Sequence, residues 1–154
     1  MAVKQVKVGK SREPVIFNRR ARHDYQVLET MSAGISLLGP EVKSVRAGNA
    51  SLAESFGRLD KGEVFLYNMY VAPYKYSRLE SDPRRPRKLL LNKREIAKLD
   101  QALSQKGLSL VPLKLHFRRG WAKMELAIAK GKREFDKREA IRRREAEQEM
   151  RRRR

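Results

Sequence analysis

The side chains of this chain that could do chemistry are few. Its two histidines, His23 and His116, lie far apart, and no pair of ligands stands at metal-binding spacing. The sequence has no cysteine, no Gly-x-Ser-x-Gly and no Gly-rich phosphate loop. His23 and Asp24 are neighbours, and a hydrolase with His23 as general base can be drawn from them. On a strand, however, adjacent residues point to opposite faces, so the pair would not cooperate easily. What remains is arginine, lysine and tyrosine. In Asn18-Arg19-Arg20-Ala21-Arg22-His23-Asp24-Tyr25, three arginines stand with a histidine and a tyrosine just ahead of a strand. Guanidinium forks bind phosphates, and aromatic rings stack on bases. Tyr25 reads equally well as the first core residue of that strand. From Ala72 to Arg87, Pro73, Pro83 and Pro86 frame Tyr74, Lys75, Tyr76, Arg78, Arg84, Arg85 and Arg87. A loop that long is functional or solvated, and this mixture suits an RNA surface. The chemistry expected is binding, with no catalysis, metal or cofactor.

Charge points the same way. The 154 residues carry 37 Lys and Arg against 18 Asp and Glu, a net charge of +19. That much charge on one small domain is self-repelling unless the usual partner is negative, which makes nucleic acid the first candidate. A membrane surface would need a helix with a broad apolar face, and the tail has none. Without cysteine there are no disulfides or thiolate metal sites, which fits a reducing cytosol. Residues 1–14 hold no apolar run of signal-peptide length, and no segment approaches the roughly 18 apolar residues of a spanning helix. The protein is expected to be cytoplasmic, without a membrane partner.

The elements that must position these residues are legible from periodicity. Residues 1–17 read as a flexible basic arm, 18–129 as an RNA-binding barrel and 130–154 as a basic tail. Tyr25–Met31 and Ile35–Leu38 read as two short strands joined at Ser32-Ala33-Gly34. Pro40 and Glu41 open a short helix that Gly48 ends, with Val42 and Val45 inward and Lys43 and Arg46 outward. Leu52–Leu59 is a weaker strand. Val64–Val71 alternates clearly after the Asp60-Lys61-Gly62 turn, giving a hairpin. Following Lys88–Leu91, Asn92 as N-cap and Glu95 three residues later begin a helix whose buried face is Ile96, Leu99 and Leu103. Two strands follow, Val111–Phe117 and Ala122–Ile128. Pro112 marks an edge or bulge, and Trp121 at the hairpin end is assigned to packing rather than stacking. Six or so strands with two inserted helices predict a mainly β fold, a small closed barrel of the oligonucleotide-binding type; an open α+β sheet is the alternative.

The tail has only Phe135, Ile141 and Met150 as large apolar residues, too few to bury. Glu134 and Arg138, Glu139 and Arg143, Glu147 and Arg151, and Glu149 and Arg153 are each four apart, an order that supports a helix without securing it. The expectation is a tail that is mobile when free and helical only when bound to a polyanion.

Together these segments resemble the bacterial SsrA-binding protein family, also called small protein B. The resemblance is carried by Asn18-Arg19-Arg20-Ala21-Arg22-His23-Asp24-Tyr25, Glu41-Val42-Lys43-Ser44-Val45-Arg46-Ala47-Gly48, Arg87-Lys88-Leu89-Leu90-Leu91-Asn92-Lys93-Arg94-Glu95, Val111-Pro112-Leu113-Lys114-Leu115, and Ala129-Lys130-Gly131-Lys132 with Asp136-Lys137-Arg138. It runs in unbroken order over residues 18–139. It implies a barrel that clasps the tRNA-like domain of transfer-messenger RNA (tmRNA), stands in for the missing anticodon arm, and delivers that RNA to stalled ribosomes for trans-translation. The tail would then probe the empty message channel near the decoding centre. By position, Asn18, Arg19, Arg20, Tyr25, Lys88, Leu90 and Asn92 match the family's face for the tRNA-like domain. His23, Gly131, Lys132, Asp136, Lys137 and Arg138 match ribosome-facing positions, and Phe135 stands where His or Tyr is common. Ser32 replaces a usual acid, and Gly48-Asn49-Ala50-Ser51 departs from Gly-Lys-x-Asn. The implied partners are tmRNA and small-subunit rRNA, with elongation factor Tu and alanyl-tRNA synthetase reached only through the RNA, and one protein copy per RNA.

Overall fold

The computed structural model describes residues 13–78 and 81–152, with the side chains of 133–141 left out. In chain order the elements are β1 (Ile16–Phe17), α1 (Ala21–Asp24), β2 (Tyr25–Ile35), α2 (Gly39–Arg46), β3 (Ala50–Ser51), β4 (Phe56–Asp60), β5 (Glu63–Tyr67), β6 (Tyr70–Val71), β7 (Arg87–Leu90), α3 (Lys93–Leu103), β8 (Leu108–Arg118), β9 (Trp121–Gly131) and α4 (Lys132–Arg152). Seven strands pair in the order β1-β8-β4-β5-β7-β2-β9, and β9 also pairs with β8. Six antiparallel strands therefore close into a ring, and β1 extends it on β8. The first 12 residues of the expected arm lie outside the described residues.

Alternation builds the interior. Val64 and Leu66 of β5, Leu89 of β7, Leu115 of β8 and Met124 and Leu126 of β9 are at most 1% exposed and share one cluster with Leu99 of α3. The β4–β5 turn fell where the sequence put it: Lys61 and Gly62 both have positive φ, the requirement of the tight two-residue hairpin whose twist matches its strands. The α3 cap also formed as expected. Asn92 Oδ1 accepts from the Glu95 amide at 2.8 Å, and Glu95 Oε1 accepts from the Asn92 amide at 3.1 Å.

Four segments differ from expectation. The tail, expected to be helical only when bound, is the helix α4 over Lys132–Arg152 in the chain alone. The two short strands at 25–38 are one strand through Ile35, because Ser32, Ala33 and Gly34 pair directly with Glu125, Met124 and Lys123. Val64–Val71 is broken at Asn68, whose φ is 66°, and Tyr70–Val71 turns away to pair with β3. In α2 the buried positions are Glu41, Ser44 and Val45, while Val42 is only half-buried.

Gly57 is where β4 meets β8, in register with Leu110. A Cβ there would lie 2.4 Å from Leu110 Cδ2 and 2.8 Å from its Cγ. Gly57→Ala is therefore expected to overpack the seam and lower stability by about 1–3 kcal/mol. Urea unfolding reads this directly, and a variant as stable as the parent would mean the seam gives way freely.

Candidate nucleic-acid interface

The basic segment ahead of β2 is not loose. β8 carries a bulge, a register shift against β9 between Pro112 and Lys114, which leaves carbonyls turned outward. Asn18 takes both: its amide donates to Leu113 O at 2.8 Å and its Nδ2 to Pro112 O at 2.9 Å. Asn18 O then accepts from the Ala21 amide at 3.2 Å and starts α1. Ala21 is buried in a small outer cluster with Val111, Leu113, Ala127 and Ala129, against which Tyr25 and Val27 pack. The core reading of Tyr25 thus holds for part of its ring, which is half-buried. With α1 pinned on its apolar side, Arg19, Arg20, Arg22 and His23 are exposed.

Because residues 23 and 24 lie in a helical turn and not on a strand, the opposite-face expectation fails. His23 Nδ1 stands 3.0 Å from Asp24 Oδ1, with both side chains more than half exposed. The other histidine, His116, has a buried Nδ1 without a hydrogen-bond partner. Its pKa is lowered by burial and by the neighbouring Lys114 cation.

The root of the tail sits beside α1. Tyr25 is in register with Gly131, and Lys132 Nζ donates to Arg22 O at 2.8 Å. Arg19, Arg20, His23, Tyr25, Gly131 and Lys132 therefore gather at one end of β2. A cleft of about 740 Å³ adjoins them, lined in part by Arg20, Asp24, Tyr25, Arg58 and Asp100. The side chains of Phe135, Asp136, Lys137 and Arg138 lie outside the described residues, although their backbone is in α4.

Lys88, Leu90 and Asn92 are elsewhere. Leu90 pairs with Gly34 near the other end of β2, about 30 Å along the strand from Tyr25 at 3.3 Å per residue. Lys88 Nζ is 3.2 Å from Glu63 Oε1, Leu90 is 52% exposed, and Asn92 spends its Oδ1 on the α3 cap. The expected site residues thus form two patches.

Two assignments are corrected by burial. Arg87 was grouped with a basic RNA-facing loop, yet it is 0% exposed. It donates through Nε (2.8 Å) and Nη2 to Glu41 Oε2, through Nη1 to Met69 O (2.7 Å), and through Nη2 to Pro83 O (3.1 Å). Glu41, read from sequence as a helix-dipole acid, also takes Arg85 and the Leu38 amide. An acid in a first turn followed by arginines some forty residues on was the signal, but nothing in local spacing joins them. Trp121, assigned to packing, is 74% exposed at the β8–β9 hairpin. No helix among the described residues is long and apolar enough to cross a membrane.

Residues 15–154 match the family model described as SmpB protein. The chain is 56% identical over 135 residues to the SsrA-binding protein of Caldicellulosiruptor saccharolyticus, covering 87% of this chain and 85% of that protein. It is 52% identical over 134 residues to the SsrA-binding protein of Carboxydothermus hydrogenoformans, covering 86% and 90%. A solved structure described as "tmRNA-SmpB: a journey to the center of the bacterial ribosome" contains a chain that matches with a TM-score of 0.65 and 56% identity, covering 77% of this chain and 84% of that one. With a pinned basic turn, a closed strand ring and matches of this extent, the chain belongs to the SmpB protein family.

Proposed function

We propose that the protein is an RNA-binding adaptor of ribosome rescue and not an enzyme. It binds the tRNA-like domain of tmRNA, takes the place of the missing anticodon arm, and brings the RNA to stalled ribosomes. Family membership carries this reading, and the relatives bear the name SsrA-binding protein. The site residues are assigned as follows, the patch at the α1 end of β2 being shared between the two partners. Asn18, Arg19, Arg20 and Tyr25 at one end of β2, with Lys88, Leu90 and Asn92 at the other, face the tRNA-like domain. His23, Gly131, Lys132, Phe135, Asp136, Lys137 and Arg138 face the decoding centre and the message channel of the small subunit. Elongation factor Tu and alanyl-tRNA synthetase act through the RNA, and one protein copy serves each RNA in the cytoplasm. The assignment is supported by exposure of Arg19, Arg20 and Leu90 and by the bonds that make Asn18 and Asn92 framework as well as surface.

A binding titration against tmRNA and an unrelated structured RNA of equal length tests the reading. If about six phosphates are neutralised, affinity for tmRNA falls by roughly three decades between about 50 and 200 mM salt. A preference for tmRNA should survive the higher salt. Equal binding of both RNAs that collapses together would leave only a nonspecific basic surface.

A further inference from the structure

The basic and aromatic residues around α2 and the segment after β6 belong to neither patch, yet they are built into one surface. Lys43 Nζ lies 5.1 Å from the Tyr74 ring centroid, Tyr74 and Tyr76 meet edge-on with centroids 5.5 Å apart, and Lys75 Nζ lies 5.5 Å from the Tyr76 ring. Arg46, three residues from Lys43 and so on the same helix face, sets its guanidinium 5.2 Å from the Phe117 ring. Tyr76 is 74% exposed.

The cations here differ from those on β7, α3 and β8. Lys88, Lys98 and Lys114 are each spent on a carboxylate, Glu63, Glu29 and Glu125. Among the described residues, none of Lys43, Arg46 and Lys75 has an acidic partner within ion-pair distance. They rest on aromatic rings, a weak hold that a phosphate can replace while leaving the ring in place. The segment is also anchored at both ends. Ser44 Oγ donates to Ala72 O at 2.7 Å, the Ala72 amide to Asn49 O at 2.9 Å, and Glu41 of the same helix holds Arg85 and Arg87 at the segment's far end.

We propose that Lys43, Arg46, Tyr74, Lys75 and Tyr76 form a separate binding surface for unstacked, single-stranded RNA. An exposed ring for a base, here Tyr76, beside cations without a carboxylate partner for phosphates supplies the two parts that single-strand binding needs. A duplex offers only the phosphates, and an acidic peptide offers charge without a π face for Tyr76. The inference does not depend on which RNA the protein serves.

The test is a titration of the full chain with a single-stranded oligouridylate of about 12 nucleotides, a blunt RNA duplex of the same length, and polyglutamate, at about 200 mM salt. Tyr76→Ala should weaken the single strand about 5- to 150-fold, the worth of one stacked base, with Tyr76→Phe near the parent and the duplex unchanged. Lys43→Gln with Lys75→Gln should lower the salt slope for the single strand by about 1.4. A 4-thiouridine version of the oligonucleotide should crosslink at Tyr74 or Tyr76. Three results would each overturn the proposal: crosslinks confined to α1 and the tail, an equal loss on the duplex, or an equal loss on polyglutamate, which would make the surface an acidic-peptide site. Tyr76 is exposed, so the folded state should survive every substitution at it.

Discussion

Glu41→Gln is expected to cost about 3–5 kcal/mol of folding stability, the largest loss from any single polar substitution in the protein. The reason is what it leaves behind. Arg87 has no exposed surface, and its guanidinium is neutralised inside the fold by the Glu41 carboxylate. A glutamine keeps the shape and removes the charge, so a cation stays buried without a counterion. The same group sets an acid limit on the fold. Burial alone would raise the Glu41 pKa, but hydrogen bonds from Arg85, the Leu38 amide and Arg87 overcome it and hold it below the ordinary 4.5. A carboxylate depressed in this way stabilises the fold at pH above its unfolded value, and that contribution is lost as pH falls through the folded value. Urea unfolding of parent and Glu41→Gln should therefore differ most near neutrality, the gap narrowing in acid below 4.5. Glu41→Leu combined with Arg87→Met should recover most of the loss, because a buried ion pair replaced whole by apolar groups is close to neutral. A single variant as stable as the parent would show that Arg87 finds enough partners in the carbonyls of Met69 and Pro83.

Truncation after Ala129 should separate two activities that share one charge. Residues 130–154 hold twelve Lys and Arg against six Asp and Glu, so the remainder keeps +13 of the +19. RNA affinity should then be largely kept, falling only by a salt-sensitive part, since Asn18, Arg19, Arg20, Lys88 and Leu90 remain although Gly131 and Lys132 leave with the tail. Activity on stalled ribosomes should fall to background if the tail is what probes the empty channel. Over residues 142–152 every side chain of α4 is exposed, Met150 included, so the helix has little to pack against and is marginal alone in water. The tail is accordingly expected to gain helical circular dichroism on adding rRNA. Retained rescue by the truncated chain would sink the channel-probing role, while loss of all RNA binding would place the tmRNA contacts in the tail.

Local rules served well where the cause is local. The turn at Lys61-Gly62, the Asn92 cap and the face of Ala122, Met124, Leu126 and Ile128 in β9 depend on residues within a few positions, and each formed as the spacing required, whereas the expected face of β8 is split by its bulge, Leu115 and Phe117 joining the main core and Val111 and Leu113 the outer cluster. The bulge beside Pro112 was signalled by a proline that cannot join a ladder. What failed was long-range. Ser32-Ala33-Gly34 looks like a joint until β9 pairs along it, and His23 and Asp24 look like strand residues until Asn18 caps the β8 bulge and winds them into a turn. Arg87 looks like a surface cation in a basic loop, and only the position of Glu41 46 residues earlier makes it a core residue. For the site, residue types pointed to nucleic acid, but nothing in the spacing revealed that Tyr25 and Leu90 stand at opposite ends of one strand.

Ring closure has a further consequence, for the order in which the chain can acquire its shape. β9 is the last strand made and the one that fills the gap between β2 and β8, with Tyr25 opposite Gly131 across more than a hundred residues. Until it arrives, β2 and β8 each present an unpaired edge, open to pairing with a second molecule. Contacts so distant are slow to form, because the entropy of a large loop must be overcome before they reward it. Synthesis thus holds the sheet open to its final strand, and crowding or a slow step before Gly131 would be answered by aggregation and not by a stable partial fold.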